Sequence, residues 1–144
     1  QADFNVNVLG AVAAIQANLA RLRKAGAASI VLFSTVAVQT GMGFHASIAT
    51  AKGAVEGLTR SLAAELAATK IRCNAIAPSL TDTPLAASLL SSDEKREASN
   101  KRHPIGRVGT PQDLAAVAKL LLSDEGSWIT GQVLNVDGGM GRLK

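Results

Sequence analysis

Two short apolar runs separated by one long helix-patterned run constrain this chain more than any other feature. Ser29 to Ser34, SIVLFS, is rich in β-branched residues and reads as a strand covered on both faces. Lys70 to Ile76, KIRCNAI, reads as a second strand, stopped by Pro78. Between them, the run from Phe44 to Ala67 places Ile48, Val55, Leu58, Leu62 and Leu66 along one side of a helix. Strands joined through a helix of that length cannot form a hairpin, so they lie parallel in a crossover unit.

The flanking elements extend the same architecture. Val8, Val12, Ile15, Leu19 and Leu22 recur at helical steps in residues 1–25, and Gly26 closes that helix. Thr110-Pro111-Gln112-Asp113 is a helix start with Thr as N-cap, Pro at the first helical position and an acid in the first turn. Leu114, Val117, Ala118 and Leu121 then face inward, and Gln132 to Val136 reads as a third strand that leaves through Asp137-Gly138-Gly139. Residues 79–104 are weakly patterned and are expected to form a mobile flap over a substrate. The order predicts one α/β domain over residues 1–144 with an open parallel sheet. The chain starts almost directly in a helix and without Met, so a segment upstream of Gln1 is expected.

Composition narrows the function classes. At 144 residues and 47% hydrophobic, the chain can bury the core of one domain. A single cysteine, Cys73, permits no internal disulfide and suggests a reducing compartment. No apolar run is long enough to span a bilayer and no signal-type segment is present, so a soluble, cytoplasmic protein without a membrane partner is expected. The net charge is +4, but the basic residues are scattered and almost no aromatics lie between them. That pattern fits a solvated surface and argues against nucleic acid.

Chemistry has few places to sit. Lys52 follows Ile48 by one helical turn on the buried side, where its ammonium must find partners or snorkel to the helix edge. Gly41-Met42-Gly43-Phe44-His45-Ala46 matches a variant of the dinucleotide fingerprint between a strand and a helix. A pyrophosphate turn needs its first glycine at the strand end, and here residues 35–40 intervene. The match is therefore rejected as a phosphate loop.

Taken together, the landmarks resemble a family. The strand ending in Ser34-Thr35, Lys52 in AKGAVEGLTRSLAAELA, the strand IRCNAIAP, the following TDTP, the helix start GTPQDLA and the ending ITGQVLNVDGG look like the C-terminal half of the short-chain dehydrogenases/reductases. The resemblance covers nearly the whole chain. It implies a Rossmann-type doubly wound parallel sheet, here apparently lacking its N-terminal half, with NAD or NADP as cofactor, no metal, and a small-molecule carbonyl or alcohol as substrate. By that resemblance Lys52 holds the nicotinamide ribose and lowers the pKa of a neighbouring tyrosine, and Asn7 helps hold a water on the proton path. Thr35 takes the place of the family serine. Pro78, Ser79, Thr81 and Thr83 match the turn that meets the nicotinamide carboxamide, with Ser79 replacing a glycine. If that glycine had a positive φ, the serine would be strained by about 1 kcal/mol or more.

Two departures limit what can be carried over. Ile48 stands at the family tyrosine position, and the chain has no tyrosine at all. Loss of a general acid lowers a rate on the order of a hundred- to ten-thousand-fold. His45, nearer the helix start, is a candidate substitute, or an exposed surface residue. The family's phosphate loop, its NAD/NADP-selecting residue and its Asn-Asn-Ala-Gly strand end all lie upstream of the Asn7 helix and outside this chain. The resemblance also implies a homodimer or homotetramer through helices 4–25 and 44–67, whose alanine-rich flanks permit close approach. Two functions stay open: an oxidoreductase with a degenerate catalytic set, or a catalytically inactive subunit or scaffold.

Overall fold

Residues 1–143 are described by a computed structural model. The chain begins as α1 (Ala2–Phe4), passes through a π-helical turn (Asn5–Leu9) and continues as α2 (Gly10–Lys24). The residues at both junctions keep right-handed helical dihedrals, so these three pieces form one rod. β1 (Ala28–Phe33) follows, then the short α3 (Ala37–Thr40), which ends at Gly41 with φ 65°. Such a left-handed residue closes a helix most easily when it is glycine.

The long α4 (Ala46–Leu66) starts two residues later than its apolar pattern. Phe44 has φ 61° and a fully exposed ring, and His45 takes the N-cap position instead. β2 (Ile71–Pro78) runs to the proline itself, past the expected end at Ile76. Residues 79–104 hold a 3-10 helix (Pro84–Leu90) and α5 (Asp93–Lys101), where sequence predicts only weak patterning. The sequence of α5, DEKREASNK, has no apolar stripe to reveal it; its start is set by Ser92, whose hydroxyl accepts from the Lys95 N–H. Then come α6 (Pro111–Leu122) and β3 (Val133–Val136).

The strands are parallel in the order β1-β2-β3, with Ala28 opposite Ile71 and Ala75 opposite Val133. Ile30, Ile71 and Cys73 meet Ala63 and Leu66 of α4, with Ile15 and Leu19 of α2 alongside. Alternation along β1 sends Ser29 to the other face, where its hydroxyl donates to the Leu121 carbonyl at the end of α6. Arg72 supports the same end: its guanidinium donates to the carbonyls of Leu121 and Ser123 at 2.7 and 3.0 Å. Helices thus cover both faces, as a doubly wound sheet requires. No helix among the described residues is long and apolar enough to cross a membrane.

Candidate active site

Parallel α/β sheets bind ligands outside the carboxyl ends of their strands. At that edge a cavity of about 430 Å³ is lined by Thr35 beyond β1, His45 at the start of α4, Pro78 at the end of β2, and Ser79, Thr81 and Thr83 beyond it. A larger cavity, about 640 Å³, lies at the amino ends of β1 and β2 around Ala28 and Ile71. It holds none of the residues singled out from sequence, and its Arg72 is engaged by backbone carbonyls.

The end of β1 is held from the α4 side. Ser34 and Thr35, just beyond β1, part ways: Ser34 bonds α4 and Thr35 lines the cavity. The Ser34 hydroxyl donates to Glu56 Oε1 at 2.7 Å in a buried pair, and Arg60 approaches the other carboxylate oxygen at 3.8 Å. Thr35 Oγ1 accepts from the Ala37 N–H at 3.3 Å, a long bond that leaves the hydroxyl free to donate toward the cavity. One turn of α4 before Glu56, Lys52 is half-buried and donates from Nζ to the Phe33 carbonyl at 2.8 Å. Burial lowers its pKa below the ordinary lysine value. Ile48, half-buried one further turn back, does not line the cavity.

Asn7 is not brought to the cavity. It sits in the π-helical turn, and its amide donates to the Asp3 carbonyl at 2.8 Å. Asp3 in turn accepts from the Ser47 hydroxyl at 2.7 Å, which ties this turn to the start of α4. His45 does face the cavity. Its Nδ1 lies 2.6 Å from the Gly43 carbonyl oxygen, which can only accept, so Nδ1 carries a proton.

The condition for strain at the turn after β2 is not met. Among the described residues only Phe44 and Lys70 are non-glycines with positive φ, so Ser79 carries no left-handed penalty. Thr81 donates to the Ser79 carbonyl at 3.0 Å and pairs with Gly109 in an isolated bridge. Thr83 precedes the 3-10 helix at its N-cap, yet its side chain makes no capping bond. Its hydroxyl therefore remains for a ligand. The Thr35 and Thr83 hydroxyls on this cavity suit the amide and hydroxyl groups of a nicotinamide ribose.

Sequence reasoning missed His103, Met140 and Glu56. Ser79 Oγ lies 2.9 Å from His103 Nε2 and 2.8 Å from Met140 Sδ, across 24 and 61 residues of chain. No local pattern marks either partner; the only signal available was an isolated histidine before Pro104 in an otherwise unremarkable segment. Glu56 reads as an ordinary polar residue of an amphipathic helix until the fold places Ser34 against it.

Residues 1–141 match the family described as enoyl-(acyl carrier protein) reductase. The chain is 40% identical over 139 residues to 2-(S)-hydroxypropyl-CoM dehydrogenase 3 of Xanthobacter autotrophicus, covering 94% of this chain and 54% of that protein. Among solved structures, a short-chain type dehydrogenase/reductase from Mycobacterium ulcerans superimposes with a TM-score of 0.91 at 33% identity, over 98% of this chain and 51% of that one. A gluconate 5-dehydrogenase from Burkholderia cenocepacia, in complex with NADP and tartrate, superimposes with a TM-score of 0.90 at 30% identity, over 96% of this chain and 55% of that one. The chain thus spans about half the length of the relatives it matches. With its parallel sheet, its strand-end cavity and these likenesses, the chain belongs to the short-chain dehydrogenase/reductase family.

Proposed function

We propose that this chain carries the carbonyl-handling side of an NAD(P)-dependent oxidoreductase that interconverts a small carbonyl compound and its alcohol. The observation that carries this reading is the convergence of Thr35, Ser79, Thr81 and Thr83 on one cavity at the strand ends. The NADP complex of the Burkholderia relative supports the cofactor class, and leaves NAD equally open for this chain. When bound, the nicotinamide supplies a hydride to the carbonyl carbon.

The chain's own residues then bind and orient. The turn from Pro78 to Thr83 holds the carboxamide end, with Thr83 contributing its uncommitted hydroxyl. Lys52 presents an ammonium whose present partner is a single backbone carbonyl, which leaves donors for ribose hydroxyls. Thr35 donates to the substrate oxygen. Asn7, already bonded to Asp3, keeps the π-helical turn in shape and offers its carbonyl oxygen to a water. Ile48 can give no proton, so the catalytic set is degenerate and the acid comes from another side chain on the cavity wall. The segment 79–104 acts as the substrate flap. Phe4, Val6 and Leu9 are exposed on the first helical rod, which packs beside α4, and this supports a homodimer or homotetramer built on those helices.

The test is turnover by the full-length protein. Oxidation of NADH and of NADPH is followed in the presence of small aldehydes and ketones, and the reverse reaction with the matching alcohols. Turnover with at least one pair is expected. No reaction with any of them contradicts the proposal and leaves a non-catalytic subunit or scaffold.

A further inference from the structure

We infer that Ser79 and His103 form a proton relay to the substrate oxygen, replacing the acid that Ile48 cannot supply. The inference rests on the oxidoreductase reading above and names the proton source within it.

The geometry fixes which nitrogen does what. His103 Nδ1 lies 2.8 Å from the Ser99 carbonyl oxygen, and a carbonyl only accepts. Nδ1 therefore keeps its proton in both charge states, and Nε2 is the nitrogen that gains and loses one. Nε2 faces Ser79 Oγ at 2.9 Å. The ring is buried, with 3% of its surface exposed, whereas Ser79 is only partly buried and lines the cavity with Thr35. Ser79 also lines, with His103, a smaller neighbouring cavity of about 290 Å³, so it stands between the ring and the strand-end cavity. An oriented base behind such a serine is the arrangement expected of an acid–base pair.

The seat of the ring is specific. A Cβ on Gly138 would stand 3.5 Å from His103 Cβ and 2.8 Å from Ile105 Cγ2, and Gly138 itself has φ 61°. A bond to Ser99 alone would suffice to finish α5; the Ser79 contact is not needed for that. Ser79's other neighbour, Met140 Sδ, is a weak acceptor and does not hold the hydroxyl proton firmly. The charged groups nearby are otherwise engaged. Arg107 pairs with Asp113 at 2.7 Å, and Asp137 accepts from the Gly139 and Gly141 N–H groups, each at 2.9 Å. Arg102, on the cavity wall, bonds the Ser99 hydroxyl at 3.3 Å.

In the reducing direction, the carbonyl carbon receives the hydride and the C=O π pair moves to oxygen. Ser79 Oγ–H gives its proton to that oxygen, forming the alcohol O–H. The Nε2–H bond of the His103 imidazolium breaks as its proton passes to Ser79 Oγ. His103 is left neutral with Nδ1–H intact, and a proton from cavity water restores it through Ser79.

Two readouts on the full-length protein test this. Without cofactor, nitrogen NMR of His103 should show the neutral ring protonated on Nδ1 with Nε2 bare, and Ser79→Ala should shift the Nε2 resonance by removing its hydrogen-bond donor. With saturating cofactor, Ser79→Ala and His103→Gln should each lower carbonyl reduction about 100-fold or more. The double variant should fall no further than the worse single, and Ser79→Thr should restore most of the rate. His103 is buried and its variant can misfold, so Ser79→Ala and the NMR tautomer decide alone if needed. The opposite tautomer, protonated on Nε2 with Nδ1 bare, an unchanged rate in Ser79→Ala, or an equal or larger loss in His45→Gln overturns the relay while the oxidoreductase reading stands. Absence of both NAD(P)H binding and turnover in the unaltered protein overturns both.

Discussion

Removing the Ser34 hydroxyl should loosen the strand end that carries the site. Ser34 and Glu56 are 3% and 6% exposed, and among the described residues their 2.7 Å bond is the one short contact to that carboxylate. Arg60, at 3.8 Å, is too far for a firm bond and its side chain is 58% exposed. A hydrogen bond to a charged group contributes about 1.5–3 kcal/mol, and a buried carboxylate left without its donor keeps its full desolvation penalty. Ser34→Ala should therefore destabilise the full-length protein by about 2 kcal/mol, read as a lower urea midpoint at unchanged slope. Glu56→Gln, which keeps an acceptor for Ser34, should do less. The loss should also be local. Ser34 N–H donates to the Ile76 carbonyl at 2.7 Å and Val36 N–H to the Pro78 carbonyl at 3.0 Å, so amide exchange at these two positions should accelerate. A change below about 0.5 kcal/mol would refute the reasoning, because it would mean that water or another donor replaces the Ser34 hydroxyl at Glu56.

Three further outcomes are expected. Ile48→Tyr places a phenol one helical turn before Lys52, and should raise carbonyl reduction at least about tenfold in steady-state assays if the acid is the main deficit; no change with cofactor binding intact would mean that more than the acid is missing. Asp113 is held well below the usual carboxylate range by the Arg107 guanidinium and by the Thr110 N–H and hydroxyl. Its stabilising effect is therefore full above the unfolded carboxyl pKa of about 3.9 and fades as pH falls through the lower folded value, so the melting difference between the unaltered protein and Asp113→Asn should shrink on acidification. Cys73 is buried, and its pKa is pushed up to about 11 by that burial, so it should resist thiol reagents at neutral pH until the chain is unfolded.

The legible parts of this chain are those with a repeating physical signal. The strands at Ala28 and Ile71, the long α4 and the Thr110–Asp113 capping box each announce themselves by period or by cap chemistry. The sequence also separates the roles of Ser34 and Thr35, which lie beyond the end of β1 and contact α4 and the cavity respectively. What stayed hidden depends on chain crossings. Lys52 reads as a lysine in search of a partner, and only the packing of α4 on β1 supplies the Phe33 carbonyl. His103 and Ser79 meet because α5 folds back over the turn after β2, and the polar sequence of α5 carries no period to foretell it. Whether Ser79 is strained depends on its φ, which the sequence does not give, and its backbone is ordinary.

The most direct measurement is an equilibrium titration of NADH and of NADPH against the full-length protein. The account predicts saturable binding of at least one, weakened about tenfold or more in Lys52→Met through loss of a charged donor. Failure of both nucleotides to bind the unaltered protein would contradict it.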